Sequence, residues 1–284
     1  MKRVFLYLFF TVSLLANGPI EPIDPAKHLN LLKVELGKIL FFDPNLSSDS
    51  KTSCASCHKK EHGGSNGKRF ARGVYDREVA LNVPSIYNLK YQYVYGWLKK
   101  EYDLKKKIEL IMTDPDIMDA DFEKIKNYIQ KTPFLSKRFS YTYSKVDKES
   151  IIDALYNYLL SLTTTGSKFD RYLKGEIELD PEEKRGFELF KRYGCIACHN
   201  GRSVGGHLYF KYGYFLEGKE QKYVKCPSLR NVEYTAPYFH TGAVKDLKEA
   251  VKWMAKVQLG REISDRDCEL IVKFLKTLSG TPND

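Results

Sequence analysis

Beyond its first 18 residues the sequence contains no long apolar run, so no later segment suits a bilayer crossing. It also lacks a dense basic face. Its Lys and Arg fall in short clusters such as Lys99-Lys100 and Lys105-Lys106-Lys107, interleaved with acids. That scatter argues against a nucleic-acid surface and for solvated helix faces. Methionine is scarce, with four residues, and histidine nearly so, with six, so the candidates for metal chemistry can be named one by one. Cysteine is equally sparse, and four of the six cysteines sit in two tight pairs.

What is present begins with a basic pair, Lys2 and Arg3, an apolar stretch from Val4 to Ala16, and the small residues Ala16-Asn17-Gly18. This reads as a secretory signal peptide over residues 1–18, with an uncleaved anchor as the alternative. The expected mature protein is exported, to a bacterial periplasm. Removing Lys2 and Arg3 takes the formal charge from +10 to +8. A weakly acidic protein partner fits that balance.

The paired cysteines are Cys54-Ala-Ser-Cys57-His58 and Cys195-Ile-Ala-Cys198-His199. Cys-X-X-Cys-His is the attachment signature of c-type haem. Two thiols at this spacing reach the two vinyl groups of one porphyrin, and the next residue, His58 or His199, is held under the iron. The alternative, one Cys/His zinc site, is disfavoured because the pairs lie far apart in the chain. Cys226 and Cys268 remain. A disulfide is open to them in an oxidising compartment, but two buried thiols acting as small hydrophobes is the favoured reading.

The 284 residues suit two domains, one around each motif. The reading is residues 19–165 for the first and 166–284 for the second, in a mainly α fold. Helical patterns run over 28–42, near 103–112 and 120–131, and over 148–163, where Ile151, Leu155, Tyr158, Leu159 and Leu162 share a face. Between the first motif and residue 103 the chain is glycine-rich and aperiodic, a functional loop region. Residues 182–193 form an amphipathic helix running into the second motif. Asp246 with Glu249 and Ser264 with Asp267 open two further helices. Helix, then haem motif, then a terminal helix crossing back is the class I cytochrome c arrangement.

The sixth ligands are less legible. His28, His62, His207, His240 and Met1, Met112, Met118, Met254 are the candidates. Met254 lies far enough past His199 to reach the opposite side of a porphyrin, yet it also fits an ordinary apolar helix face. Spacing alone leaves both readings open.

At this point the chain resembles the bacterial di-haem cytochrome c peroxidases and their MauG-like relatives. The resemblance runs from about Leu36 to Gly280. It rests on Leu36-Gly-Lys-Ile-Leu-Phe-Phe-Asp43-Pro, Leu46-Ser, Ser53-Cys-Ala-Ser-Cys-His58 and Gly166-Ser-Lys-Phe-Asp170. Further on it rests on Cys198-His-Asn-Gly201, Val204-Gly-Gly206, Pro227-Ser-Leu-Arg-Asn231, Thr235-Ala-Pro-Tyr-Phe-His240 and Gln258-Leu-Gly-Arg261. It implies two class I cytochrome c-like domains, the first peroxidatic and the second taking in electrons. It also implies that Met254 is the axial Met of the electron-entry haem, where MauG has Tyr. Trp97 falls at the tryptophan between the haems, which helps to couple them. Asn82, Thr235 and Pro237 fall at residues that hold a calcium ion, an ion that prefers oxygen donors. A homodimer is a further implication.

The departures bear on function. Counting without gaps, the loop His that caps the first haem in resting peroxidases is Val74 here, and the catalytic Glu is Ile117, before a matching Met118. Valine cannot ligate iron and isoleucine cannot move a proton. Asp76, Arg77 and Glu78, just after Val74, are candidate substitutes, with a solvated turn as the bland alternative. His62 is a further distal candidate, more simply a surface residue. The expected function is reduction of hydrogen peroxide with electrons from a small periplasmic cytochrome or cupredoxin. The alternatives are a di-haem carrier or haem sensor with little turnover, and a MauG-like oxidase of a protein substrate, against which Met254 argues.

Overall fold

A computed structural model describes residues 18–26, 28–216 and 222–283. The proposed signal segment, apart from Gly18, lies outside the described residues. Ten α-helices carry the described chain, with six strands of two or three residues each. The helices are α1 (Leu31–Phe42), α2 (Cys54–Cys57), α3 (Leu104–Thr113), α4 (Phe122–Lys131), α5 (Pro133–Thr142) and α6 (Lys148–Ser161). Then come α7 (Lys168–Leu173), α8 (Pro181–Tyr193), α9 (Leu247–Leu259) and α10 (Asp265–Lys276). The fold is mainly α, as the periodicity predicts. α5 is the one element of this size that the sequence reading leaves out. Pro133 starts it directly after α4, so the two helices read as one run with a break.

Local chemistry explains the helix starts. Asp103, Asp121, Asp246 and Ser264 each accept a hydrogen bond from a backbone N–H in the first turn of α3, α4, α9 and α10. Such a bond satisfies one of the donors a helix start leaves orphaned. Asp147 with Ser150 and Asp180 with Glu183 form reciprocal capping boxes on α6 and α8.

Two hydrophobic clusters form, one from Leu36 to Leu162 and one from Phe169 to Leu278 with Ile20 added. Each is organised by a helix crossing at a glycine. A Cβ on Gly37 of α1 would lie 2.0 Å from the Ala154 carbonyl oxygen of α6, and one on Gly186 of α8 would lie 2.0 Å from that of Leu270 of α10. Only glycine allows backbones this close. The terminal helix does cross back over the helix that leads into the second motif.

The segment between the first motif and α3 has no α-helix and lies between the two clusters. Tyr93 and Val94 donate backbone N–H groups to the Gly206 carbonyl, and the Trp97 carbonyl accepts from the Lys225 N–H. A buried polar ladder continues the tie. The Asn88 side chain pairs with Thr164, whose hydroxyl donates to Asn231 Oδ1, and the Asn231 amide donates to the Gly280 carbonyl. β3 (Thr164–Thr165) pairs antiparallel with β6 (Thr281–Pro282), bringing the chain end beside it. Residues 19–24 strap the outside: Pro19 accepts from the Gly201 N–H, and the Asp24 carbonyl accepts from the Tyr91 hydroxyl.

Candidate haem centres

The first motif forms a single helical turn. Ser53 caps it, and Ser56 Oγ accepts from the Ser53 N–H at 3.0 Å. A separation of three residues puts Cys54 and Cys57 on the same side of that turn. His58 ends the turn, with Nδ1 2.9 Å from the Gly64 carbonyl oxygen. Donating from Nδ1 leaves the Nε2 lone pair free, which is the tautomer and orientation an iron ligand requires. Burial lowers the His58 pKa and favours the neutral ring.

The second motif follows α8 through Gly194. Burial lowers the His199 pKa to about 4, so this ring too is neutral. The Cys226 sulfur lies 3.2 Å from the Cys198 carbonyl oxygen and 3.5 Å from His199 Nδ1. Cys226 and Cys268 are both buried and unpaired, and the Cys268 thiol donates to the Lys248 carbonyl. Burial pushes the Cys54 thiol up to about 12 and Cys195 up to about 11. That is the reverse of the low pKa a redox dithiol needs. Among the described residues no cluster of three or more His, Cys, Asp or Glu side chains is placed to hold a metal.

Cys195, Cys198, His199 and Met254 line one cavity beneath α9. A motif, its neutral imidazole and a thioether on one concave surface fit a c-type haem. Trp97 forms part of the same wall, buried, with its indole N–H donating to the Asn82 carbonyl at 2.7 Å. Asn82, Thr235 and Pro237 are also on that wall. Their side-chain and carbonyl oxygens are donors of the kind calcium takes.

The distal candidates separate in the structure. Val74 is fully buried and its N–H donates to the Ile117 carbonyl at 3.0 Å, so these two positions are neighbours. Met118 is buried beside them in the sequence. Asp76 and Glu78 point to solvent and lie near the Arg72 guanidinium. Arg77 donates to the Pro115 carbonyl at 2.6 Å. The His62 ring lies over Gly67.

Two features of the cavity have no sequence signal. Lys225 is buried there, donating to Gln92 Oε1 at 2.6 Å, and burial pulls its pKa down to about 7. Nothing in Tyr223-Val-Lys225 marks that lysine as interior. Tyr212 and Trp253, 41 residues apart, meet through a 2.6 Å hydrogen bond.

Fold and motifs together define a mainly α protein carrying cytochrome c-type units. The di-haem cytochrome c peroxidase family model matches residues 32–178, and the cytochrome c model matches residues 183–279. The cytochrome c551 peroxidase of Nitrosomonas europaea is 35% identical, covering 95% of this chain and 86% of that protein. That of Pseudomonas aeruginosa is 34% identical, covering 87% and 78%. A solved MauG-like protein associated with microbial copper homeostasis shares the fold, with a TM-score of 0.75 at 21% identity, covering 92% of this chain and 93% of that one. The chain belongs to the di-haem cytochrome c peroxidase family. That family includes the methylamine utilization protein MauG, represented by the Methylorubrum extorquens protein at 28% identity over 92% of this chain and 82% of that one.

Proposed function

We propose that this protein is a periplasmic peroxidase that reduces hydrogen peroxide to water, taking two electrons and two protons per peroxide. A small cytochrome c or cupredoxin is the donor. The observation that carries the reading is Met254 on the same cavity as His199, Cys195 and Cys198, with Trp97 in its wall. Two covalently attached haem c supply the redox chemistry. Cys54 and Cys57, and Cys195 and Cys198, anchor them, and His58 and His199 are the proximal ligands. Met254 closes the second site and makes it a relay. Trp97 lies on the route towards His58. The two units are taken as residues 19–165 and 166–284, and a calcium ion held by Asn82, Thr235 and Pro237 braces the join.

The family membership, the relatives named as peroxidases and the backbone hydrogen bond that brings Val74 beside Ile117 support one further point. By the ungapped count against the family, Val74 and Ile117 stand on the distal side of the His58 haem, an apolar pair at the positions where the peroxidases have a ligating His and a catalytic Glu. Positioned acid–base groups contribute about 10²–10⁴-fold in rate. The proton role then falls to Asp76, Arg77 and Glu78, on a turn that faces solvent. The competing reading, a di-haem carrier or sensor with trace turnover, draws on the same apolar pair.

Steady-state peroxide reduction with a reduced small cytochrome c decides between them. Turnover of ordinary peroxidase size supports the first; trace turnover with both haems attached supports the second. Asp76→Asn, Arg77→Ala and Glu78→Gln lower turnover if that turn handles protons. If none does, the proton path lies elsewhere.

A further inference from the structure

Trp253 stands next to Met254 on α9, 40% exposed, in a position where a surface helix would ordinarily carry a polar residue. Its indole N–H donates to the Tyr212 hydroxyl at 2.6 Å. The Tyr212 ring meets the His240 ring edge-on, with centroids 5.3 Å apart. Tyr212, His240 and Met254 all line the cavity of the second motif. A continuous set of contacts therefore runs from solvent, through Trp253 and Tyr212, to the cavity wall.

The surface around this pair is unusual. The segment after β4 (Tyr209–Lys211, paired with β5, Tyr223–Lys225) folds along α9, the Phe215 N–H donating to the Val257 carbonyl. It leaves Tyr214 and Phe215, their rings 5.3 Å apart, 61% and 55% exposed. Phe215 lies over Gly260, the C-cap of α9, about two turns along from Trp253. Exposed aromatics grouped in this way mark an interaction surface. Lys211, Lys222 and Lys256 are exposed around it, and no described carboxylate pairs with any of them. Lys252 is different, being neutralised by Asp265.

We propose that this aromatic face docks a small redox protein whose own metal edge is ringed by carboxylates, and that Trp253 and Tyr212 are the contact through which its electron enters. The proposal rests on the peroxidase reading and names its partner by charge and shape. One electron would pass from the donor's metal to the haem that Cys195, Cys198, His199 and Met254 would hold. Trp253 and Tyr212 end unchanged, and no bond or proton is exchanged. Their role is to replace a through-space gap by bonded and packed aromatic contact, because tunnelling falls steeply with separation. The three lysines speed encounter and select an acidic partner.

The test uses the holoprotein in stopped-flow, following reduction of the Met-ligated haem by absorbance. The reductants are a small acidic class I cytochrome c, a basic mitochondrial-type cytochrome c, and dithionite. For Trp253→Leu the expected result is a loss of tenfold or more in the second-order rate with the acidic cytochrome. Its binding, read separately by calorimetry, weakens too, while the dithionite rate and the haem spectrum stay as in wild type. Tyr212→Phe, which deletes only the hydrogen bond, lowers the limiting rate at saturating donor and leaves affinity unchanged. The Lys211→Glu, Lys256→Glu double variant slows association, and added salt slows the wild type. Equal rates for wild type and Trp253→Leu, or a basic cytochrome as fast as the acidic one, would overturn the proposal. A wild type that dithionite reduces but neither cytochrome does removes the donor-fed reading, and the docking face falls with it.

Discussion

Arg230 and Asp170 meet at 2.8 Å with both side chains 1% exposed. The pair is embedded in further bonds, with Arg230 donating to the Glu21 and Arg202 carbonyls and Asp170 accepting from the Ile23 N–H. Removing one member of such a pair strands the other charge without solvent. Arg230→Leu is expected to cost about 3–5 kcal/mol, read from denaturant melts of the holoprotein. A loss under 1 kcal/mol would contradict it. At this scale the sequence was legible where chemistry imposes a spacing. Cys54, Cys57, His58 and their counterparts at 195–199 announce themselves, because thioether bonds and an axial ligand need that order of residues. Arg230 and Asp170 were visible only as parts of motifs, with no sign that they touch. Lys225 and the Tyr212–Trp253 bond were invisible, because they depend on folding distant segments together.

α6 gathers its neighbours through one carboxylate. Asp153 accepts from Lys33 of α1 and Lys105 of α3, each at 2.6 Å, and from the Tyr143 hydroxyl at 2.9 Å. Burial alone would raise its pKa, but the bonds from Lys105, Lys33 and Tyr143 outweigh it and hold the group below the usual carboxylate range. A carboxyl depressed in the folded state adds stability that is present above its unfolded pKa, about 3.9. That stability is lost as the pH falls through the folded value. Asp153→Asn is therefore expected to cost about 1 kcal/mol at neutral pH. The difference from wild type should close below about pH 4, in melts run across pH. A constant difference would assign the loss to packing. The helix crossings make a separate prediction. Gly37→Ala pushes α1 off α6 and costs about 1–3 kcal/mol by overpacking, whereas an unchanged melting temperature would mean that the crossing relaxes freely. Helices were legible in the sequence because caps and a 3.6-residue period are local. The crossing points were not, because a glycine in an amphipathic helix does not reveal which backbone it faces.

In the whole molecule, two helix-crossing clusters are joined by the segment without an α-helix that carries Asn82, Asn88 and Trp97. That segment was recognisable from its glycines as a loop. Its place between the clusters, and the strap of residues 19–24 across the second, came only with the tertiary contacts. The arrangement makes the two motifs unequal. His199 shares a cavity with Met254, whereas Val74 and Ile117, joined by a backbone hydrogen bond and both without a ligating or proton-carrying atom in the side chain, are the pair proposed for the distal side of the first haem. We propose that a thioether closes one haem and that the other is open in every oxidation state. Electron paramagnetic resonance of the fully oxidised holoprotein, repeated on the half-reduced form, measures it most directly. One low-spin His/Met signal and one high-spin signal, the latter already present before any reduction, are expected. Two low-spin signals in the oxidised protein, the second with a nitrogen sixth ligand that is lost on half-reduction, would contradict it.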